Sequence, residues 1–141
     1  MNILSLFDGM SCGQIALNRA GITVDNYYAS ELDKYAISVT QANYPDTVQL
    51  GDVTKWREWD IDWASIDLLI GGSPCQGFSF AGKQLAFDDP RSKLFFVYVD
   101  IMIHIKLVNP DVKFMLENVR MKQDDIDIIT NTLKVEPVFI N

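Results

Sequence analysis

Along this chain short apolar runs alternate with amphipathic stretches, and turn residues separate nearly every pair. Asn2 to Phe7 is a bounded apolar run of the kind that forms a buried strand. Asp8 to Gly13 follows as a turn with two glycines. Gln14 to Arg19 then has helical spacing, with Ile15, Ala16 and Leu17 set to face a sheet and Gly21 to end the helix. Val24 to Ser30 predicts a second strand with Glu31 at its carboxyl end, and Lys34 to Asn43 a helix that stops before Pro45. Thr47 to Leu50 predicts a third strand, followed by Gly51-Asp52, and Ile66 to Ile70 a fourth, which breaks on Gly71, Gly72 and Pro74. Ser73 to Pro90 reads as a loop of a length that, in compact domains, usually carries function or disorder. Arg91 to Val108 sends two signals. Val97, Val99, Ile101, Ile103, Ile105 and Leu107 alternate as in a strand, yet the run is too long for one and Pro110 closes it, so a crossover helix fits better. Val112 to Glu117 predicts a fifth strand, Asp124 to Leu133 an acidic helix, and Pro137 to Ile140 the start of a sixth strand.

Strand and helix in alternation predict an α/β fold: a doubly wound, mostly parallel sheet, truncated after about six strands, with residues 1–141 as one domain. Trp56, Trp59 and Trp63 sit on a polar connection and are expected to cover the sheet edge, and His104 is expected on the solvated face of its helix. The composition agrees, at 48% hydrophobic and 22% charged over 141 residues, enough for one core. No apolar run approaches the roughly 20 residues of a membrane span, and no secretory pattern precedes Asn2. Cys12, Cys75 and His104 have no metal-ligand spacing. The expectation is a soluble cytoplasmic protein with reduced thiols and no metal. A net charge of −7 argues against an extended nucleic-acid surface within these residues.

In such sheets ligands bind beyond the carboxyl ends of the strands. The five ends carry Phe7-Asp8-Gly9, Glu31, Asp52, Pro74-Cys75 and Glu117. A glycine turn lets a ligand approach the backbone closely. A carboxylate ending the second strand suits ribose hydroxyls, Asp52 can accept from an exocyclic amine, and Phe7 can stack on a purine. Glu31 also suits the start of a helix, and both roles can hold. The glycines do not form Gly-x-Gly-x-x-Gly, so a dinucleotide is not specially indicated. Cys75 is either a small buried hydrophobe or a thiol held for chemistry by Gly and Pro. Glu117 at the neighbouring strand end favours chemistry. A thiolate nucleophile beside a carboxyl group that donates to a ring nitrogen suits attack on an electron-poor heterocycle.

Phe7 to Gly13, Gly72 to Ser79 (Gly-Ser-Pro-Cys-Gln-Gly-Phe-Ser), Asp89 to Phe96 and Glu117-Asn118-Val119 resemble successive motifs of the DNA cytosine-5 methyltransferase family. They follow that family's order and approximate spacing over essentially the whole chain. The resemblance implies a Rossmann-like fold that uses S-adenosylmethionine and releases S-adenosylhomocysteine. Phe7 would contact the adenine, and Asp8, Gly9, Ser11 and Gly13 would hold the methionine part. Glu31 would bind the ribose and Leu32 pack on the adenine. Asp52 and Val53 would address the adenine edge, with Pro74 and Leu94 lining the pocket. Cys75 would add to C6 of a cytosine flipped out of double-stranded DNA, and Glu117 would hydrogen-bond its N3. Asn118 would brace the loop that carries Cys75, with Gln76 and Ser79 in support.

Two departures stand out. Cys12-Gly13 occupies a position where many members have two glycines, which implies that Cys12 packs rather than reacts. Members of the family also continue well past this length, with an Arg-bearing segment, a target-recognition domain and a C-terminal segment that completes the pocket. The implied chain is an N-terminal half whose basic DNA-reading parts lie elsewhere. It would need a complementing segment or subunit, and it would self-associate through a bare sheet edge. The same resemblance leaves open an enzyme acting on cytosine in RNA, and a non-catalytic module that binds S-adenosylmethionine. For a DNA enzyme the setting would be restriction–modification in a bacterial or phage-infected cell.

Overall fold

In a computed structural model, which describes residues 1–73, 90–119 and 121–140, five parallel strands form one sheet in the order β3-β2-β1-β4-β5. The elements run β1 (Asn2–Leu6), α1 (Cys12–Arg19), β2 (Asn26–Ser30), α2 (Lys34–Asn43), β3 (Val48–Gln49), β4 (Leu68–Gly71), α3 (Pro90–Val108), β5 (Lys113–Leu116) and α4 (Gln123–Leu133). Two short 3-10 segments, Val53–Glu58 and Trp63–Ser65, join β3 to β4. The order reverses beside β1, which pairs with β2 on one side (Leu6 opposite Ser30) and β4 on the other (Leu6 opposite Gly71). That is the switch point at which ligands bind in doubly wound sheets.

Alternate residues of β1 face opposite layers. Leu4 and Leu6 join the larger core, filled by Phe95, Tyr98, Ile101, Met102 and Ile105 of α3 and closed by Trp56 and Leu133. Ile3 joins a smaller core with Leu17 of α1, Tyr27, Ala29 and Ile70. The alternation along α3 is thus no strand signal: its buried residues recur at helical intervals, while Ile103 and Leu107 stay exposed.

Several expectations are corrected. No strand forms over 137–140, where Val138, Phe139 and Ile140 are exposed and unpaired among the described residues. On α1 only Leu17 is buried; Ile15 and Ala16 face outward because the helix is short and meets the sheet along a narrow stripe. His104 is not on a solvated face. Its ring lies 5.1 Å from that of Trp56 and 4.9 Å from that of Trp63, so these two tryptophans pack against α3, and Trp59 stacks on Trp63.

Candidate active site

The turn after β1 is the most constrained backbone in the described structure. Phe7, Gly9 and Ser11 all have φ near +60°, and two of the three carry side chains. The left-handed conformation costs an L-residue roughly 1–2 kcal/mol, so something must hold Phe7 and Ser11 there. The side chain of Asp8 does so. Its Oδ1 accepts from Ser5 Oγ at 2.6 Å and from Tyr27 OH at 2.7 Å, and its Oδ2 accepts from Ser11 Oγ. Asp8 N also donates to Ser30 O at 3.2 Å, and Ser11 N to Asp8 O at 3.1 Å.

Glu31 ties this turn to the end of β2. Its Oε2 accepts from Gly9 N at 2.8 Å, and its Oε1 accepts from Leu32 N at 2.7 Å and Asp33 N at 2.9 Å. With two lone pairs per oxygen, this leaves one acceptor position open, on Oε2. Ser30 carries the linkage to β3 by donating from Oγ to Gly51 O at 2.7 Å. Asp52 caps the first 3-10 segment: its Oδ1 accepts from Thr54 N and Oγ1, both at 2.8 Å. The Thr54 backbone hydrogen bond, helped by its hydroxyl, holds the Asp52 carboxyl below the usual range.

On the other side of the switch point Glu117 N donates to Gly71 O at 2.8 Å, which extends the β4–β5 pairing. The Glu117 carboxylate lies over Gly72, where Oε2 would stand 3.0 Å from a Cβ, so a larger residue there would crowd it. A Cβ at Gly71 would stand 3.1 Å from Leu6 O and from the Tyr98 ring, so that glycine lets α3 pack under the strand end. Asn118 Nδ2 is buried without a hydrogen-bond partner among the described residues.

Among the expected residues, Asp8, Gly9, Ser11 and Glu31 are joined in one hydrogen-bonded unit. Asp52 follows at the end of β3, and Glu117 stands beyond β4 over Gly72. Leu32 is 70% exposed beside this row, Phe7 and Leu94 pack in part on the larger core, and the Val53 side chain is buried within it. Cys12 is exposed, contrary to the packing expected of it. Gly13 explains why: a Cβ there would stand 2.7 Å from Ile70 Cδ1 and 2.8 Å from Tyr27 OH. The close approach thus falls on position 13, and position 12 is free to carry a side chain. Pro74, Cys75, Gln76 and Ser79 lie outside the described residues. Sequence reading missed Ser5, Tyr27 and Ser30, and it named Gly72 only as a turn glycine. Tyr27 alone left a signal, since a tyrosine in a buried strand must find a partner for its hydroxyl.

The sequence matches the model of the C-5 cytosine-specific DNA methylase family over residues 1–135. It is 39% identical over 123 residues to Type II methyltransferase M.NgoBV of Neisseria gonorrhoeae, covering 84% of this chain and 28% of that protein. It is 34% identical over 138 residues to Type II methyltransferase M.HhaI of Haemophilus parahaemolyticus, covering 94% of this chain and 39% of that one. A crystal structure of a Spodoptera frugiperda DNMT2 mutant superposes with a TM-score of 0.65 at 24% identity, covering 94% of this chain and 40% of that chain. The S. pombe Dnmt2 methyltransferase gives 0.61 at 17%, covering 95% and 39%. These two establish the fold, a Rossmann-like methyltransferase sheet. The chain therefore spans well under half the length of these relatives, and it belongs to the C-5 cytosine-specific DNA methylase family.

Proposed function

We propose that the chain is the cofactor-binding and catalytic part of an enzyme that methylates C5 of cytosine in double-stranded DNA, with S-adenosylmethionine as donor and S-adenosylhomocysteine as product. One observation carries this reading: the Asp8–Ser11 turn, Glu31, Asp52 and Glu117 line up at the carboxyl ends of neighbouring parallel strands across the switch point.

The residues fit the cofactor. Among the described residues, its chain neighbours aside, no atom lies within 4 Å of where a Gly9 Cβ would stand, so a ligand has room to reach the backbone. The open lone pair of Glu31 suits a ribose hydroxyl. Asp52 would accept from the adenine amine through Oδ2, since Thr54 occupies Oδ1. Phe7, Leu32, Pro74 and Leu94 would bound the adenine, and Val53 would contribute through its backbone. When bound, S-adenosylmethionine supplies a methyl group on a positively charged sulfur, which a carbon nucleophile can attack.

The chain's own residues create that nucleophile. Cys75, as thiolate, forms an Sγ–C6 bond to the flipped cytosine, and the C5–C6 electron pair becomes available at C5. Glu117, as the protonated acid, holds a hydrogen bond to N3 and so draws charge from the ring. After methylation, loss of the C5 proton restores the C5–C6 double bond and expels Cys75. The unpaired amide of Asn118 is a donor suited to bracing the Cys75 loop, with Gln76 and Ser79 beside it. The outer edge of β5 is unpaired among the described residues and would take a complementing segment or a second copy. Relatives named Type II methyltransferases support a restriction–modification setting in the cytoplasm of a bacterial or phage-infected cell.

Calorimetric titration of the chain with S-adenosylmethionine, paired with Cys75→Ser, tests the reading. The variant is expected to bind the cofactor as the parent does. In the enzyme complete with any complementing segment, it is expected to lose methyl transfer to DNA. Equal transfer by the variant would remove Cys75 from the reaction; absence of binding by the folded parent chain would mean that the complementing segment is needed to build the pocket, and absence of binding with that segment present would remove the cofactor from this turn.

A further inference from the structure

Tyr27 stands one layer beneath the cofactor turn. It is 3% exposed, opposite Ile3 in the β1–β2 register, and packed in the smaller core with Leu17 and Ile70. From there its hydroxyl donates to Asp8 Oδ1 at 2.7 Å. Ser5 from β1 reaches the same oxygen, and Ser11 from the turn reaches the other. All three donors are buried, and they converge on one carboxylate. The Tyr27 oxygen is also the atom that a Gly13 Cβ would meet at 2.8 Å, so it sets how closely the start of α1 approaches the sheet. Burial, and after it the Asp8 charge, pushes the phenol up, which keeps the hydroxyl a donor at ordinary pH.

The consequence is mechanical. Phe7, Gly9 and Ser11 lie in the left-handed region, and Ser11 carries a side chain that disfavours it. The backbone of the turn is already tied to the end of β2 through Asp8 N to Ser30 O and Gly9 N to Glu31 Oε2. Tyr27 adds to these a side-chain bond from the core that fixes the Asp8 carboxylate, on which Ser5 and Ser11 also converge.

We propose that Tyr27 is a positioning residue for cofactor binding: by holding Asp8 from beneath, it keeps the Gly9–Gly13 backbone in the shape that receives the methionine part of S-adenosylmethionine. This rests on reading the turn as the cofactor's cradle, and two measurements separate the claims. The first is S-adenosylmethionine affinity for the parent chain, Tyr27→Phe, Asp8→Ala and the double variant. The second is amide hydrogen exchange of the unliganded chain and of Tyr27→Phe.

A hydrogen bond to a charged group is among the stronger kinds, so Tyr27→Phe is expected to weaken binding about tenfold. In the Asp8→Ala background the same change is expected to cost nothing further, because its partner is gone. Amides of the turn are expected to exchange faster in Tyr27→Phe, while those of Ile3–Leu6 keep their protection. An equal loss of affinity in both backgrounds, or unchanged turn amides, would overturn the proposal. If Asp8→Ala does not fold, the exchange of Tyr27→Phe decides alone. If the parent, completed by any complementing segment, binds no cofactor while Tyr27→Phe still loosens the turn, the cradle reading fails and the clamp stands. If the parent binds and Tyr27→Phe alters neither affinity nor exchange, the clamp fails alone.

Discussion

Gly13 shows how much depends on a missing side chain. Alanine in place of glycine within a helix is worth up to about 1 kcal/mol in propensity. Against this, a Cβ at Gly13 would come within 2.8 Å of Tyr27 OH and 2.7 Å of Ile70 Cδ1. Ile70 Cδ1 is the end of a flexible side chain and can give way, but Tyr27 is held by its bond to Asp8. Overpacking of this kind costs about 1–3 kcal/mol, so the clash outweighs the propensity gain. Gly13→Ala is expected to lower stability by about 1–2 kcal/mol in urea denaturation and to weaken S-adenosylmethionine binding. A variant as stable as the parent would show that the approach relaxes freely. Cys12→Ala, at an exposed position, is expected to change stability by no more than about 0.5 kcal/mol. At this scale the sequence was half legible. The glycine turn and the acidic strand ends could be read from residue type and order, but which of positions 12 and 13 had to be glycine depended on a side chain from another strand.

Among the elements, α4 carries an electrostatic conflict. Asp124 and Asp125 occupy its first turn, where the helix dipole favours a carboxylate by about 0.3–1 kcal/mol. Asp125 is only 6% exposed, however, and its Oδ2 is buried without a partner. Leaving a polar group so costs about 1–3 kcal/mol, more than the dipole returns. Burial accordingly raises the Asp125 carboxyl above its usual value, although the Lys122 charge pulls the other way. The folded state therefore holds the Asp125 proton more tightly than the unfolded chain does. The penalty for ionising the carboxyl is fully present above the raised value and lifts as pH falls through that value toward the ordinary carboxylate range. Asp125→Asn is expected to stabilise the chain by about 1 kcal/mol at pH 7, and the gain is expected to vanish below about pH 4. Thermal melts across that range check it, and a gain independent of pH would point to packing instead. Element types were legible because the apolar spacing of α1, α2 and α4 differs in period from the strands. The alternation in α3 could be settled only by its length and by its place between two parallel strands.

At the scale of the whole chain, the sheet has two bare edges among the described residues. β3 has two residues, and its shortness gives a second strand little to pair with. β5 is longer, carries the exposed Met115, and is followed at a distance by the exposed Val138, Phe139 and Ile140. An unpaired edge beside apolar surface is a template for association. The chain is therefore expected to self-associate with rising concentration in sedimentation velocity, and Met115→Lys, which sets a charge on that edge strand, to shift it toward monomer. A parent chain that stays monomeric throughout would sink the expectation. The sixth strand expected over 137–140 belongs to the same scale: an apolar run becomes a strand only when it pairs with an edge, and among the described residues 137–140 pairs with neither.

By itself the sequence determined the alternation of strand and helix, the parallel sheet that follows from it, and the residues at the strand ends. These are properties of spacing and residue type within short segments, and the chain carries them locally. Only the tertiary structure decided that Asp8 is clamped by Ser5, Ser11 and Tyr27, that Glu31 is largely engaged by backbone amides, that His104 packs against two tryptophans, and that the close approach falls on Gly13 rather than on position 12. The bonds of Asp8 to Tyr27 and of Gly9 to Glu31, the packing of His104 and the close approach at Gly13 all join segments distant in the chain. Their geometry is set by how the sheet twists and how the helices pack on it, which no local pattern encodes.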